Sequence, residues 1–344
     1  MHSVDKLEKN GVLEKNEFVE LLTCEKKETI EYLKERAVKV RKEIYGEDVY
    51  IRGLIEISNF CKNDCFYCGI RKSNKKCERY RLSKNEILHC CRIGYPLGFR
   101  TFVLQGGEDN HYGDDILCDI IKTIKTEFPD CAVTLSLGER EKESYQKLYD
   151  AGADRYLLRH ETANEEHYSK LHPQKMSYEN RFECLENLKS IGFQTGCGLM
   201  VGSPYQTVEN IVEDLIYIAE FKPHMVGVGP FIPHSDTPFR NEPAGSVELT
   251  CRILSIIRLM LPKVLLPSTT ALGSLEEGGR EKGILCGANV VMPNLSPENV
   301  RDKYTLYNNK LSSGAEAAES LELLKKSINN IGYKIVTSRG DVKI

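Results

Sequence analysis

Apolar runs of strand length alternate along this chain with helix-like stretches, and no other feature constrains its fold as much. Candidate strands fall at 53–58, 101–106, 132–138, 155–161, 194–201, 225–232, 264–270 and 287–292. Between them, 114–127, 141–151, 178–191, 207–220 and 247–260 read as helices. Repeated strand–helix units build a parallel sheet covered by helices, because a parallel pair needs a crossover long enough to hold one. Ser83, Ser177, Thr207 and Ser246 stand where helices should begin, each offering a hydroxyl to the unpaired amides of a first turn. Eight strands with seven or eight helices predict an α/β fold, a complete (βα)8 TIM barrel. Such barrels typically take about 250 residues, and the chain has 344. The barrel is expected over 47–308, after a helical extension over 1–46. A tail over 309–344, with a helix at Ala315–Asn329, is expected to pack on the barrel as part of the same domain.

Composition narrows the surroundings. A net charge of −3 offers no basic surface for nucleic acid or anionic membrane. No apolar stretch approaches the roughly twenty residues that span a bilayer. The first ten residues are polar and mixed in charge, unlike a signal or transit peptide. Thirteen scattered cysteines, an odd number, argue against a disulfide framework and for a reducing, cytoplasmic compartment. No heptad run or broad apolar stripe points to an oligomer.

In a barrel of this kind the chemistry lies at the C-terminal ends of the strands. Just past the first of them, after Ile55 and Ile57, come Cys61, Cys65 and Cys68 at CxxxCxxC spacing. Four-iron clusters ordinarily take four cysteines. Three thiolates leave one iron open for a small molecule, the logic that separates open catalytic zinc sites from closed structural ones. A structural zinc would need a fourth ligand close by; Cys77 is the nearest, and no second CxxC follows. Accidental buried cysteines are the other alternative. With the aromatic Tyr67 before the last cysteine, the triple resembles the CxxxCxΦC loop of the radical S-adenosylmethionine (SAM) superfamily. That resemblance implies a [4Fe–4S] cluster whose open iron holds SAM by its amino and carboxylate groups. It also implies oxygen sensitivity and an anaerobic host.

Polar groups gather at other strand ends too. The strand at 101–106 runs into Gln105, Gly106, Gly107 and Glu108, where glycines permit close backbone approach. On its own Gly-Gly-Glu is as readily a plain turn. Thr134 and Ser136 share one face of the next strand, although single hydroxyls in strands are commonly just β-formers. Parity in 155–161 sends Arg155, Leu157, Arg159 and Glu161 the same way. Charges facing a barrel interior are costly unless paired or liganded. The structural reading is an Arg–Glu pair closing the barrel mouth. The functional reading sets Glu161 on SAM and Arg159 on a substrate carboxylate, which a guanidinium fork binds through both oxygens. Gly196 and Gly198, followed by Gly202, Ser203 and Pro204, fit backbone packed against an adenine.

Longer blocks make the resemblance more specific. EISNFCKNDCFYCGIR (56–71), VLQGGED (103–109), TLSLGE (134–139), DRYLLRHETAN (154–164), LHP (171–173) and YENR (178–181) are similar to the HydE-like family of FeFe-hydrogenase maturases. MVGVGPFIPHSDTP (225–238), PSTTALG (267–273), GGRE (278–281) and GANVVMPN (287–294) continue it in order, over about residues 15–310. Biotin synthase and methylornithine synthase share the scaffold but differ at RHETAN and PSTTA. The family resemblance implies reductive cleavage of SAM to a 5′-deoxyadenosyl radical, in assembly of the bridging dithiolate and di-iron unit of the H-cluster. It implies an organometallic iron–cysteine or other small-molecule substrate, a reducing donor such as ferredoxin or flavodoxin, and the other maturases as partners. By the same resemblance the cluster ligands are Cys61, Cys65 and Cys68, and SAM contacts come from Tyr67, Gly106, Gly107, Glu108, Ser136, Glu161 and Arg181. Thr134, Arg159, Thr269, Thr270, Met292 and Tyr307 fall on the substrate side. Some members carry three further cysteines near the C-terminus for an auxiliary cluster. The last cysteine here is Cys286, so a single cluster is expected. The rival class is a carrier that holds an iron complex without radical chemistry; it would need the cysteines but not Glu161, Arg181 or the GGE turn.

Overall fold

In the computed structural model, residues 1–311 and 318–343 are described. Six strands form one parallel sheet in sequence order: β2 (Gly53–Ser58), β3 (Thr101–Gly106), β4 (Ala132–Ser136), β5 (Arg155–Leu157), β6 (Gln194–Val201) and β7 (Met225–Pro230). The sheet closes on itself through single bridges. Met225 pairs with Leu265, Pro267 with Val290 of β8 (Val290–Val291), and Asn294 with Leu54 of β2. The expected barrel is therefore complete, with the expected strand at 264–270 reduced to bridges at Leu265 and Pro267 before a helix begins at Thr270. Beneath the ring, β1 (Asp48–Ile51) pairs with β8 on one side and β9 (Lys334–Val336) on the other, a base layer that the sequence pattern did not announce.

Caps act as the hydroxyls predict. Ser83, Ser177, Thr207 and Ser246 each accept a backbone amide from the first helical turn. Helices Asp114–Glu127, Tyr178–Ile191 and Val247–Met260 run over the predicted residues. Ahead of the barrel lie His2–Asn10, Lys15–Thr23 and Lys27–Tyr45, the last packed against Val247–Met260. In the tail the α-helix is Leu321–Asn330, preceded by a tight turn at Ala318–Ser320. The expected start at Ala315 lies outside the described residues. Among the described residues no helix is long and apolar enough to cross a membrane.

Strand parity sorts the side chains. Ile55, Ile57, Phe102, Leu104, Val133, Leu135, Tyr156, Cys197, Leu199, Val226 and Val228 join one apolar cluster with the surrounding helices. The opposite parity faces the lumen, and there the residues are unusual. Barrel interiors are ordinarily filled by bulky branched side chains. This one mixes Leu54, Val103, Leu157, Met200 and Met225 with Glu56, Gln105, Thr134, Ser136, Gly196, Gly198, Gly227 and Gly229. The polar residues set hydrogen-bonding groups inside the barrel, while Leu157 and Met225 fill the room beside Gly196.

The run 155–161 needs correction. Regular strand ends at Leu157, so its four same-parity residues do not share one site. Arg155 lies at the base, fully buried, where it donates to Thr101 Oγ1 (2.9 Å) and the Arg339 carbonyl (2.8 Å) and pairs with Asp341 (2.5 Å). A buried guanidinium without such partners would be strongly destabilising, so the C-terminal tail serves as the barrel's floor.

Candidate active site

The cysteine loop leaves β2 and is held by its own polar network. Asn59, buried, donates to the carbonyls of Glu78 (2.9 Å) and Lys303 (2.7 Å) and accepts from the Tyr80 amide (2.8 Å). Arg79 spans the loop, donating to the carbonyls of Asn59, Ile70 (2.8 Å), Arg71 (2.7 Å) and Asn74 (3.2 Å). Burial would raise the Asp64 carboxyl, but bonds from Arg71 and Ser73 outweigh it and hold the group well below the usual carboxylate range. A loop with so many satisfied carbonyls is rigid before any ligand arrives.

On it, Cys61, Cys65 and Cys68 are free thiols, partly accessible yet enclosed by protein. Burial pushes all three up, and the neighbouring cysteines push Cys65 and Cys68 further, Cys68 to about 12. Among the described residues no three His, Cys, Asp or Glu side chains converge where one ion would sit. What the loop fits is a polynuclear cluster, each iron taking one thiolate, rather than a lone zinc. Three crowded thiols, with Glu108 and Glu161 opposing their ionisation, suit a cationic iron cluster, which would hold them deprotonated. Each thiol must lose a proton to bind iron, so cluster loading is expected to strengthen with rising pH and weaken as pH falls. Chelator competition between about pH 7 and about pH 9 should show affinity rising by up to roughly tenfold per unit for each proton released.

The GGE turn is packed directly on that loop. The Gly107 amide donates to the Ser58 carbonyl (3.1 Å), and Lys62 N–H donates to the Glu108 carbonyl (2.9 Å). A Cβ on Gly107 would lie 2.2 Å from the Phe60 carbonyl oxygen and 2.8 Å from Cys61 Cβ, so only glycine fits. Glu108 accepts from the Glu139 amide (3.1 Å) and faces Lys62 Nζ at 3.2 Å. Ser136, at the end of β4, lies in register with Gln105, one residue before Gly106.

Next to the cysteines stands Tyr67, whose hydroxyl donates to His172 Nε2 (3.1 Å), while His172 Nδ1 donates to the Tyr168 carbonyl (3.0 Å). Burial and the nearby Arg181 push the imidazolium down to about 3, so the ring is neutral and can accept. Arg181 pairs with Glu139 (2.6 Å) and donates to the Arg159 carbonyl (3.0 Å). Its burial opposes the charge, but Glu139, Tyr168 and Glu108 outweigh that and raise it well above the usual value. Arg159 reaches Glu161 at 3.2 Å. Glu161 is a non-glycine residue at φ 67°, pinned by its amide on the Gly198 carbonyl (3.0 Å). Such backbone strain clusters at working sites.

Thr134 Oγ1, Thr269 Oγ1 and Arg159 Nε are buried here with neither a hydrogen bond nor an ion pair among the described residues. Orphans of this kind are rare without a ligand to meet them. Thr269 precedes helix Thr270–Leu275 and closes the wall against Gly229. Burial raises Tyr307 to about 12, and Arg159 lies within electrostatic reach of it. Met292 stands lower, beside Tyr45, Tyr50, Met225, Leu265 and Val290, and so lines the deeper lumen rather than the cysteine end.

Sequence reasoning passed over several residues here. His172 and Glu139 lie inside the quoted LHP and TLSLGE blocks, but their partners, Tyr67 and Arg181, come from distant segments. Glu56, buried in the lumen, pairs with Lys310 and accepts from Asn294 Nδ2 (3.0 Å). Lys310 belongs to a segment that crosses the mouth: Gly69 N–H donates to the Leu306 carbonyl (2.8 Å), and Asn308 N–H to that of Pro233 (3.1 Å). Cys197 belongs to the outer apolar cluster and not to this site.

Residues 55–218 match the radical SAM superfamily. The chain is 44% identical to the [FeFe] hydrogenase maturase subunit HydE of Thermotoga maritima, over 94% of this chain and 93% of that one. Among solved structures it is similar to methylornithine synthase PylB, with a TM-score of 0.86 and 27% identity over 97% of each chain. It also shares its fold with the [FeFe]-hydrogenase maturase HydG, with a TM-score of 0.81 and 22% identity over 97% of this chain and 75% of that one.

Proposed function

As the chain belongs to the HydE family of [FeFe]-hydrogenase maturases within the radical SAM superfamily, we propose that it reductively cleaves SAM and acts on an iron-bearing precursor of the H-cluster. The observation that carries this reading is the closed barrel, whose interior holds the unsatisfied hydroxyls of Thr134 and Thr269, with three enclosed thiols on the loop that leaves β2. Cys61, Cys65 and Cys68 would hold one [4Fe–4S] cluster, and no auxiliary cluster is proposed because no cysteine follows Cys286. When bound there, cluster and SAM supply a 5′-deoxyadenosyl radical on receipt of one electron. Ferredoxin or flavodoxin is the proposed donor, and the free cysteines suit the cytoplasm.

The chain's own residues bind, orient and shield. Glu108 and Glu161 offer carboxylates for the SAM ammonium and ribose, and the Gly106–Gly107 turn brings backbone close enough to hold the methionyl part. Tyr67, fixed by His172, Ser136 and Arg181 bound the rest of the SAM site. The Arg159 fork, with the unsatisfied hydroxyls of Thr134 and Thr269, suits a carboxylate-bearing substrate such as a cysteine-bound iron complex. Thr270 and Tyr307 complete that chamber above Met292, which lies deeper in the lumen, and the segment around Lys310 covers it against water, which a radical reaction must exclude. The other hydrogenase maturases would deliver the substrate and receive the product.

The test is anaerobic. The cluster-loaded protein, given dithionite and SAM, is expected to form 5′-deoxyadenosine and methionine. If none forms while cluster and SAM are both bound, the radical reading is overturned and an iron-complex carrier stands in its place.

A further inference from the structure

The bonds that hold Glu161 in its strained turn begin one residue earlier. Regular pairing of β5 with β6 ends at Leu157, yet Glu161 bridges Leu199 and its amide donates to the Gly198 carbonyl (3.0 Å). The amide of that same glycine meets a side chain instead of a strand, donating to His160 Nδ1 (3.2 Å). A ring nitrogen that accepts carries no proton, so the proton sits on Nε2, which donates to Asp214 Oδ1 (3.2 Å) in helix Val208–Phe221. The same carboxylate oxygen accepts the Ala163 amide.

His160 and Asp214 are fully buried, the imidazole beside the rings of Tyr217 (centroids 5.0 Å apart) and Phe182 (6.1 Å). A polar pair so deep in a helix layer is costly, and apolar side chains would pack there as well. What distinguishes the pair is where its bonds fall. Asp214 holds residues 160 and 163, on either side of Glu161, and His160 holds the glycine to which Glu161 is itself bonded. Gly198 is a firm anchor, since a Cβ there would lie 2.1 Å from the Gly227 carbonyl oxygen. Facing the other way, Glu161 meets Arg159 at 3.2 Å, and its Oε2 has no hydrogen bond among the described residues.

We propose that His160 and Asp214 are positioning residues, a clasp that holds the Glu161 backbone at φ 67° and so aims its carboxylate at SAM. The inference rests on the SAM contact assigned to Glu161 above. Both residues act through Glu161 and not by touching SAM. A non-glycine residue stays at positive φ only where its surroundings over-determine it, and here three hydrogen bonds do so. Without them the turn relaxes toward negative φ and carries the carboxylate away from the cysteine loop.

The experiment takes cluster-loaded, full-length protein and measures the SAM dissociation constant beside amide hydrogen exchange of the 158–164 peptide. His160→Leu should weaken SAM binding by roughly tenfold or more, as loss of a supporting partner does around metal sites, with iron content unchanged. Its 158–164 amides should exchange faster while those of helix Asp114–Glu127 keep their wild-type rates. A glutamine amide offers one acceptor and one donor, as the neutral ring does, so His160→Gln should recover most of the affinity. His160→Asn, too short to reach both partners, should fall between glutamine and leucine. Glu161→Gln should weaken SAM by a factor comparable to His160→Leu, and in the double variant the two losses should not multiply, because one acts through the other. Losses that multiply, or affinities that do not follow the order glutamine, asparagine, leucine, would overturn the clasp. If the leucine variant does not fold, the comparison of glutamine with asparagine tests the same order. A Glu161→Gln protein that binds SAM as wild type does would overturn the SAM contact of Glu161 instead. The exchange measurement then still decides the clasp, and wild-type rates over 158–164 in His160→Leu would count against it.

Discussion

Cys65→Ala is expected to remove the cluster's brown absorbance and reduce 5′-deoxyadenosine formation to background while the barrel stays folded. The three cysteines stand outside the apolar clusters that hold the fold, so the lost sulfur leaves no hole in the core. On the proposed reading, what is lost is one of three cluster thiolates in a set that already leaves an iron open. Loss of a supporting group around a metal commonly costs about 10–100-fold, and loss of a ligand from a minimal set should cost more. Cys77→Ala is the control. Its neighbour is Asn59 Nδ2 at 3.5 Å, and Asn59 keeps its bonds to the Glu78 and Lys303 carbonyls without it. Iron content and 5′-deoxyadenosine yield should therefore fall together in the first variant and stay near wild type in the second.

Gly107→Ala should be nearly as damaging, although it removes no ligand. The added methyl would meet the Phe60 carbonyl oxygen at 2.2 Å, and backbone cannot turn aside as a flexible side chain can. Either the cysteine loop or the GGE turn must shift by about an ångström, and misplacement of that size can cost about 100-fold in rate. If the turn moves, Glu108 leaves its bond to the Glu139 amide, and SAM binding should weaken with iron content little changed. If the cysteine loop moves, iron loading itself should fall. Measuring iron per chain beside the SAM dissociation constant separates the two. Wild-type turnover in this variant would mean that the close approach of the two loops has no part in the reaction.

The barrel was legible because its signals are local. Strand and helix periods repeat, and hydroxyl caps mark where helices start, so Ser83 or Thr207 announces a first turn without knowledge of anything distant. The cysteine triple and the GGE turn were legible for the same reason, being short motifs that place their groups by chain geometry alone. The run from Arg155 to Glu161 misled because parity holds only while a strand stays regular. Past Leu157 the chain breaks, Glu161 turns to positive φ, and Arg155 is left at the opposite end of the barrel from Arg159. The strand expected at 264–270 shrank to two bridges because apolar content alone cannot tell a full ladder from a short buried contact.

Periods, caps and short motifs were enough for the barrel, the loop that carries three cysteines and the family to which the chain belongs. Only the tertiary structure decided that Arg155 closes the floor with Asp341, that His172 holds Tyr67, and that Glu139 neutralises Arg181. It alone brought Lys310 across the mouth to Glu56, and Cys251 and Cys286 onto the walls of one separate cavity. The physical reason is the same in each case. Periodicity, capping and motif spacing act over a few residues, whereas the placing of buried charges and thiols depends on which distant segments the closed barrel brings into contact.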